Sequence, residues 1–163
     1  MELERKFLVT EPTDKLLNLF NKRNKEITPI EQYYILLEGN KEMRIRKRTR
    51  NKDVVYTLTV KSGSGGMRDE ITFNISESMY KYQKEKAIGY IFKERLEFDL
   101  PYGLKAEIDL FDDFIMIEVE FRSGHQYMEF EESVFKEIGL AENIREVTTD
   151  SKYKNKNLAT RGM

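Results

Sequence analysis

Residues 1–7, MELERKF, are the stretch whose reading decides the fold. A β-strand shows alternate side chains on opposite faces. Read as a strand, this segment puts Glu2, Glu4 and Lys6 on one face and Leu3, Arg5 and Phe7 on the other. Two carboxylates one step apart, with a lysine beside them, suit a hard divalent cation next to a phosphate. Taken alone the pattern is weak, because Glu and Lys are common on solvated strands. It gains force from the segments that repeat it.

In residues 42–49, EMRIRKRT, Arg44, Arg46 and Arg48 oppose Met43 and Ile45. In residues 56–61, Thr57, Thr59 and Lys61 oppose Tyr56, Leu58 and Val60, and in residues 68–75, Arg68 and Glu70 oppose Ile71 and Phe73. Lys93 and Arg95 lie across from Phe92 and Leu96, Glu107 and Asp109 across from Ala106 and Ile108, and Glu118 and Glu120 across from Ile117 and Val119. A period of two throughout predicts half-buried antiparallel strands. Any one of them could be the wet face of an ordinary sheet. The set argues otherwise: its polar faces carry mainly charges, and the signs are sorted. Cations fall on the middle strands, and carboxylates on the first and the late ones. About eight strands close naturally into a small barrel. The predicted fold is therefore α+β, a closed eight-stranded antiparallel β-barrel whose charged lumen forms a tunnel, with helices packed outside. A lumen with one cationic and one anionic wall suits a polyanion carried with metal.

Composition bounds the function. The 163 residues predict one domain, residues 1–163, large enough for a real core. Charged residues make up 35% of the chain, yet the net charge is only -1. That balance argues against a general nucleic-acid binder. Without cysteine there is no disulfide framework and no thiolate metal site. No apolar run is long enough for a membrane helix, and the acidic N-terminus does not read as a signal peptide, which predicts a cytoplasmic protein.

Three helical segments can cover the apolar backs of the strands. Residues 10–23 carry Pro12 near their start and Leu16, Leu17 and Phe20 on one face. Residues 76–89 open on Ser76 as an N-cap and close on Gly89. Residues 125–139 place Tyr127, Phe130 or Glu131, Val134, Phe135 and Ile138 at helical spacing before Gly139. A short tail element begins at Asp150. The glycine-rich stretch 61–67, KSGSGGM, reads as a mobile loop and lacks the ending of a nucleotide P-loop. The lone histidine, His125, reads as exposed.

At this point an ordered series of motifs resembles the CYTH, or triphosphate tunnel metalloenzyme, superfamily over essentially the whole chain. The hallmark ExExK is matched by Glu2, Glu4 and Lys6. After it come Gln32–Tyr34, the RIR of Arg44 and Arg46, LTVKSG with Lys61, Arg68 with Glu70, Lys93 with Arg95, EID ending in Asp109, EVEF with Glu118 and Glu120, and REVTTDSKYKN. Two departures stand out. QYY replaces the family's QGY, and Tyr34, aligned from Gln32, is favoured over Tyr33 as the family tyrosine. YKN replaces YSN and adds Lys154.

The resemblance implies catalysis by positioning and charge neutralisation on a triphosphate. Arg44, Arg46, Lys61, Arg68 and Arg95 would hold phosphate oxygens, with Lys6 and Lys152 as weaker candidates. Glu2, Glu4, Glu118 and Glu120, with Asp109 as an extra ligand, would hold Mg²⁺ or Mn²⁺. Lys93 and Tyr34 match a catalytic lysine–tyrosine pair of short bacterial members. Without Trp, and with little chain left over for a base pocket, the expected substrate is inorganic tripolyphosphate. Thiamine triphosphate or a nucleoside triphosphate is the runner-up, and class IV adenylate cyclase chemistry is a further alternative. A non-enzymatic polyphosphate-binding module would gain nothing from so many carboxylates. No nucleic-acid or membrane partner is expected, and a homodimer is left open.

Overall fold

A computed structural model describes residues 3–21, 26–63 and 69–161. Glu2, Arg68 and most of the glycine-rich loop lie outside the described residues. The described chain holds nine strands: β1 (Leu3–Val9), β2 (Thr28–Glu38), β3 (Lys41–Arg50), β4 (Asp53–Ser62), β5 (Asp69–Asn74), β6 (Gly89–Asp99), β7 (Lys105–Leu110), β8 (Ile115–Phe121) and β9 (Ile144–Glu146). Its α-helices are α1 (Asp14–Leu19), α2 (Glu77–Lys84), α3 (Gly124–Glu129) and α4 (Asn155–Thr160). The strands form one sheet in the order β5-β4-β3-β2-β6-β7-β8-β1-β9. The α+β class and the antiparallel ladders agree with the alternation. The strand number differs from eight, and the order ends at β5 and β9, so hydrogen bonding among the described residues does not close the sheet.

Two compact units divide the chain. One holds Pro29–Lys93 and the segment from Asp150; the other holds Leu3–Thr28 and Glu94–Thr149. β6 contributes its first half to one unit and its second half to the other.

In the first unit the apolar faces of β2, β3 and β4 bury Tyr33, Ile45 and Leu58 against Tyr80 of α2. Ser76 caps α2 by accepting from the Met79 N–H, as expected. The helix ends at Lys84, however, and Gly89 opens β6 rather than closing the helix. Gly89 is small for another reason: a β-carbon there would stand 2.8 Å from the Ala159 carbonyl oxygen and 2.9 Å from Thr160 Cγ2. The tail helix α4 thus packs directly on the β6 backbone.

In the second unit Phe7, Ile108, Ile117 and Val119 build a core with Leu16 of α1 and with Phe135 and Ile138. Thr13 caps α1, and Leu17, expected on its buried face, is 45% exposed. The helix expected over 125–139 is split. After α3 the chain is extended at Phe130 and Glu131, then forms a 3-10 helix, Glu132–Ile138, ended by Gly139 at φ +80. The split has a tertiary cause. Arg5, on the apolar face of β1, donates from Nη1 to the carbonyls of Tyr127 at 3.3 Å and Phe130 at 3.2 Å. Its guanidinium lies over the rings of Phe7, Tyr127 and Phe130. Nε and Nη2 of Arg5 donate to Glu146 at 3.0 and 2.5 Å. A cation on an apolar face is tolerated because every side of it is occupied.

Gly89→Ala should cost about 1–3 kcal/mol of stability, the usual range for overpacking, because backbone rather than a flexible side chain stands in the way. An unchanged thermal midpoint would show that α4 does not rest on β6. A second expectation concerns acid. Hydrogen bonds from Arg5 hold the Glu146 carboxyl below the usual glutamate range. A carboxyl depressed in the folded state contributes stability that is complete above its unfolded pKa and is lost as pH falls through the folded one. Glu146→Gln should therefore be less stable at neutral pH and lose less on acidification. Melting curves for parent and variant that stay parallel from about pH 6 to 3 would contradict the pairing.

Candidate active site

The polar face of β3 carries Glu42, Arg44 and Arg46. Across the ladders, Arg46 sits opposite Gln32 and Thr57, Arg44 opposite Tyr34 and Thr59, and Glu42 opposite Lys61. Residues directly opposite share a face, so the register alone gathers these groups. Arg46 donates from Nε and Nη2 to Gln32 Oε1, at 2.9 and 2.7 Å. Arg44 is buried, and its Nε makes no hydrogen bond to any described residue. Lys61 Nζ lies 3.7 Å from Glu70, and Thr59 and Thr72 share a hydroxyl hydrogen bond of 2.8 Å. Lys93 is buried in the same unit.

The register also separates the two tyrosines. Tyr34 lies opposite Arg44 on the polar face, whereas Tyr33 lies opposite Ile45 and packs against the rings of Tyr80 and Phe92. The ladder slips immediately after Tyr34, between Tyr34 and Leu36, a bulge of the kind that re-aims a side chain. Burial pushes the Tyr34 hydroxyl above the ordinary tyrosine pKa; Arg44 pulls it down and Glu42 pushes it up. Tyr34 is thus a protonated hydroxyl at neutral pH. Lys152 is exposed, and its ammonium lies over the Tyr153 ring. Glu42 is the residue that the sequence reading passed over. It is buried beside the arginine row and lies 3.7 Å from Lys156 Nζ. Its place one step before Arg44 in EMRIR carried the signal.

The second unit gathers the carboxylates. Glu4 lies opposite Glu120, Lys6 opposite Glu118, Glu107 opposite Glu118, and Arg95 opposite Asp109. Lys6 Nζ stands 3.6 Å from both Glu4 Oε1 and Glu118 Oε1. Arg95 donates Nε and Nη2 to the two oxygens of Asp109, at 2.7 and 2.9 Å, and its Nη1 meets Glu107. Burial by itself would lower the Arg95 pKa, but Asp109, Glu107 and Glu118 more than reverse that and hold it above the ordinary value. Asp109, expected at a metal, and Arg95, expected on phosphate, are therefore joined to each other. His125 is exposed beside Glu129.

The donor chemistry of this face fits a hard divalent ion. It offers carboxylate oxygens alone, and its like charges stand directly opposite one another, an arrangement that costs stability unless a cation lies among them. Lys6 and Arg95 supply such cations here. Among the described residues no three acidic side chains are gathered closely enough to hold an ion.

Residues 1–163 match the CYTH domain family. The inorganic triphosphatase of Nitrosomonas europaea is 30% identical, over 97% of this chain and 96% of its own. The solved structure of the inorganic triphosphatase NE1496 aligns with a TM-score of 0.62 at 27% identity, covering 98% of this chain and 95% of its own. A conserved hypothetical protein of Pyrococcus furiosus shares the fold, with a TM-score of 0.63 at 24% identity over 89% of this chain and 95% of its own.

Removing Arg95 should destabilise the fold itself. Arg95→Ala strands Asp109, which is 1% exposed, and should cost about 3–5 kcal/mol, as breaking a buried ion pair does. Adding Asp109→Asn should recover much of that loss. A double variant no more stable than Arg95→Ala in chemical denaturation would mean that the pair is not the cause.

Proposed function

The chain belongs to the CYTH family, and from that premise we propose that it is a triphosphatase. We assign its preferred reaction as hydrolysis of inorganic tripolyphosphate to pyrophosphate and orthophosphate, with Mg²⁺ or Mn²⁺, the whole chain acting as one CYTH domain. The observation that carries the reading is Arg44. A buried guanidinium Nε without a hydrogen-bond partner among the described residues is costly unless another acceptor completes it. A phosphate oxygen is the acceptor that matches it in charge and geometry. The Nitrosomonas relative supports the inorganic substrate.

In this reading Arg44, Arg46, Lys61 and Lys93 neutralise the phosphate oxygens, joined by Lys6 and by Arg68. Charge building up on the phosphates in the transition state then meets donors already in place. Arg46 is pre-oriented by Gln32 and needs little reorganisation. Tyr34, protonated at neutral pH, can donate a hydrogen bond to a phosphate oxygen, and Lys93 supplies positive charge beside the attacking water, whose proton leaves on the phosphate products as the P–O bond to pyrophosphate breaks. Glu2, Glu4, Glu118 and Glu120 would hold the metal, with Asp109 available if Arg95 turns to phosphate. The bound ion would add charge neutralisation and a more acidic water.

Phosphate release should be fastest from tripolyphosphate in a panel with thiamine triphosphate, ATP, GTP and pyrophosphate, and EDTA should abolish it. Turnover that survives exhaustive chelation, or ATP converted to cyclic AMP, would overturn the reading. Arg44→Ala should weaken substrate binding by about 1.5–3 kcal/mol, the range for hydrogen bonds to charged groups. Its melting temperature without substrate should fall only modestly, because the hydrogen bond to the buried Tyr34 hydroxyl is lost while Nε gives up none to a described residue. An unchanged KM and kcat would put the arginine outside the site.

A further inference from the structure

β9 is a very short strand. It pairs with β1 only at Phe7, Leu8 and Val9, and its last residue is Glu146. The next residues leave the ladder. At Lys6 the main chain of β1 is therefore held in a mixed way. Its carbonyl accepts from the Val147 N–H at 2.8 Å, but its own N–H donates to a side chain, the Thr148 hydroxyl, at 3.0 Å. That hydroxyl donates in turn to Glu146 Oε2 at 2.6 Å. Glu146 is fixed by the Arg5 guanidinium, which is itself anchored on the carbonyls at the end of α3. The chain of contacts runs from an outer helix, through Arg5, Glu146 and Thr148, to the backbone of Lys6.

Lys6 is the residue whose ammonium bridges Glu4 and Glu118. Its side chain reaches the polar face from a backbone whose amide rests on one oriented hydroxyl. We propose that Thr148 and Glu146, locked by Arg5, are positioning residues that set where the Lys6 ammonium stands on the charged face. They touch neither metal nor phosphate. The hydroxyl must serve two partners at once: it accepts from the Lys6 amide and gives its proton to Glu146. A carboxylate at Glu146 fixes that orientation, because it can only accept. Valine at 148 would keep the shape and remove both bonds; serine would keep both. The functional consequence rests on the reading of Lys6 as an anion-binding residue.

The test uses the full-length protein, with Thr148→Val, Thr148→Ser and Glu146→Gln beside the parent. Three quantities are read: amide hydrogen exchange at Lys6, tripolyphosphate affinity by calorimetry without metal, and kcat and KM with metal. Thr148→Val should speed Lys6 exchange about tenfold while leaving Ile117 and Val119 in the neighbouring ladder protected. It should weaken tripolyphosphate binding about fivefold to tenfold, the effect of one misplaced hydrogen-bonded group. Thr148→Ser should restore both, and Glu146→Gln should fall between. Faster exchange with unchanged affinity would overturn the proposal, as would Thr148→Ser behaving like Thr148→Val. If Thr148→Val does not fold, the comparison of Glu146→Gln with Thr148→Ser decides: equal exchange and affinity in both would overturn it. A parent that binds tripolyphosphate without hydrolysing it defeats the proposed reaction and leaves this test intact.

Discussion

Carboxylates stand opposite carboxylates in three ladders of the sheet, Glu4 across from Glu120, Glu107 across from Glu118 and Glu97 across from Glu107. Side chains opposed in this way are about 5 Å apart at Cβ, and like charges there repel. Nothing about a β-strand demands this placement, because one step of register would turn the same side chains to the other face. The second unit is built around containing that repulsion. Lys6 is set between two of the acids, and Arg95 takes Asp109 and Glu107. Each cation is a ladder neighbour of the acids it serves, so the register that creates the conflict also delivers its remedy.

The first unit solves the opposite problem in another way. Arg44 and Arg46 face neutral groups across both ladders: Gln32 and Thr57 beside Arg46, Tyr34 and Thr59 beside Arg44. Amide and hydroxyl groups orient a guanidinium without cancelling its charge. Glu42, the acid buried in that row, lies near Lys156 of the tail and opposite Lys61. The result is a face that stays cationic and keeps a buried donor in reserve at Arg44. A face designed only for stability would have matched each arginine with a carboxylate, as the second unit does at Arg95. The two faces differ in how their cations are partnered rather than in the number of charges.

Much of this was legible in the sequence because charge and period coincide. β3, β4, β7 and β8 each alternate an apolar and a polar face, and the same alternation fixes which side chains are neighbours. The choice of Tyr34 over Tyr33 rests on alignment from Gln32; it is the ladder that places Tyr34 opposite Arg44 and Tyr33 opposite Ile45. What could not be read depends on contacts distant in sequence. β9 spans Ile144–Glu146, too short for any periodicity to register. The break after α3 falls in a run of good helical spacing without Gly or Pro; it exists because Arg5 takes the carbonyls there. Gly89 follows a helix and reads as its stop, yet it is small because the tail crosses over it. The partnership of Arg95 with Asp109 was hidden because each residue is also plausible chemistry by itself.

Arg5 shows how far one misplaced-looking residue can organise its surroundings. By sequence it is a cation in the apolar row of β1, between Leu3 and Phe7. Half-buried among rings, it needs hydrogen-bond acceptors, and it finds them at two places: the carbonyls at the end of α3, and the acid that ends β9. Satisfying Arg5 thus terminates a helix and fixes the last residue of an edge strand in the same act. Glu146, once fixed, orders Thr148, and Thr148 completes the hydrogen bonding of the next residue in β1. Arg5 and Lys6 point to opposite faces, as strand geometry requires. The peptide link between them therefore carries an arrangement made on the helix-covered side through to the charged side, and the dipeptide joins the packing of the second unit to its chemistry.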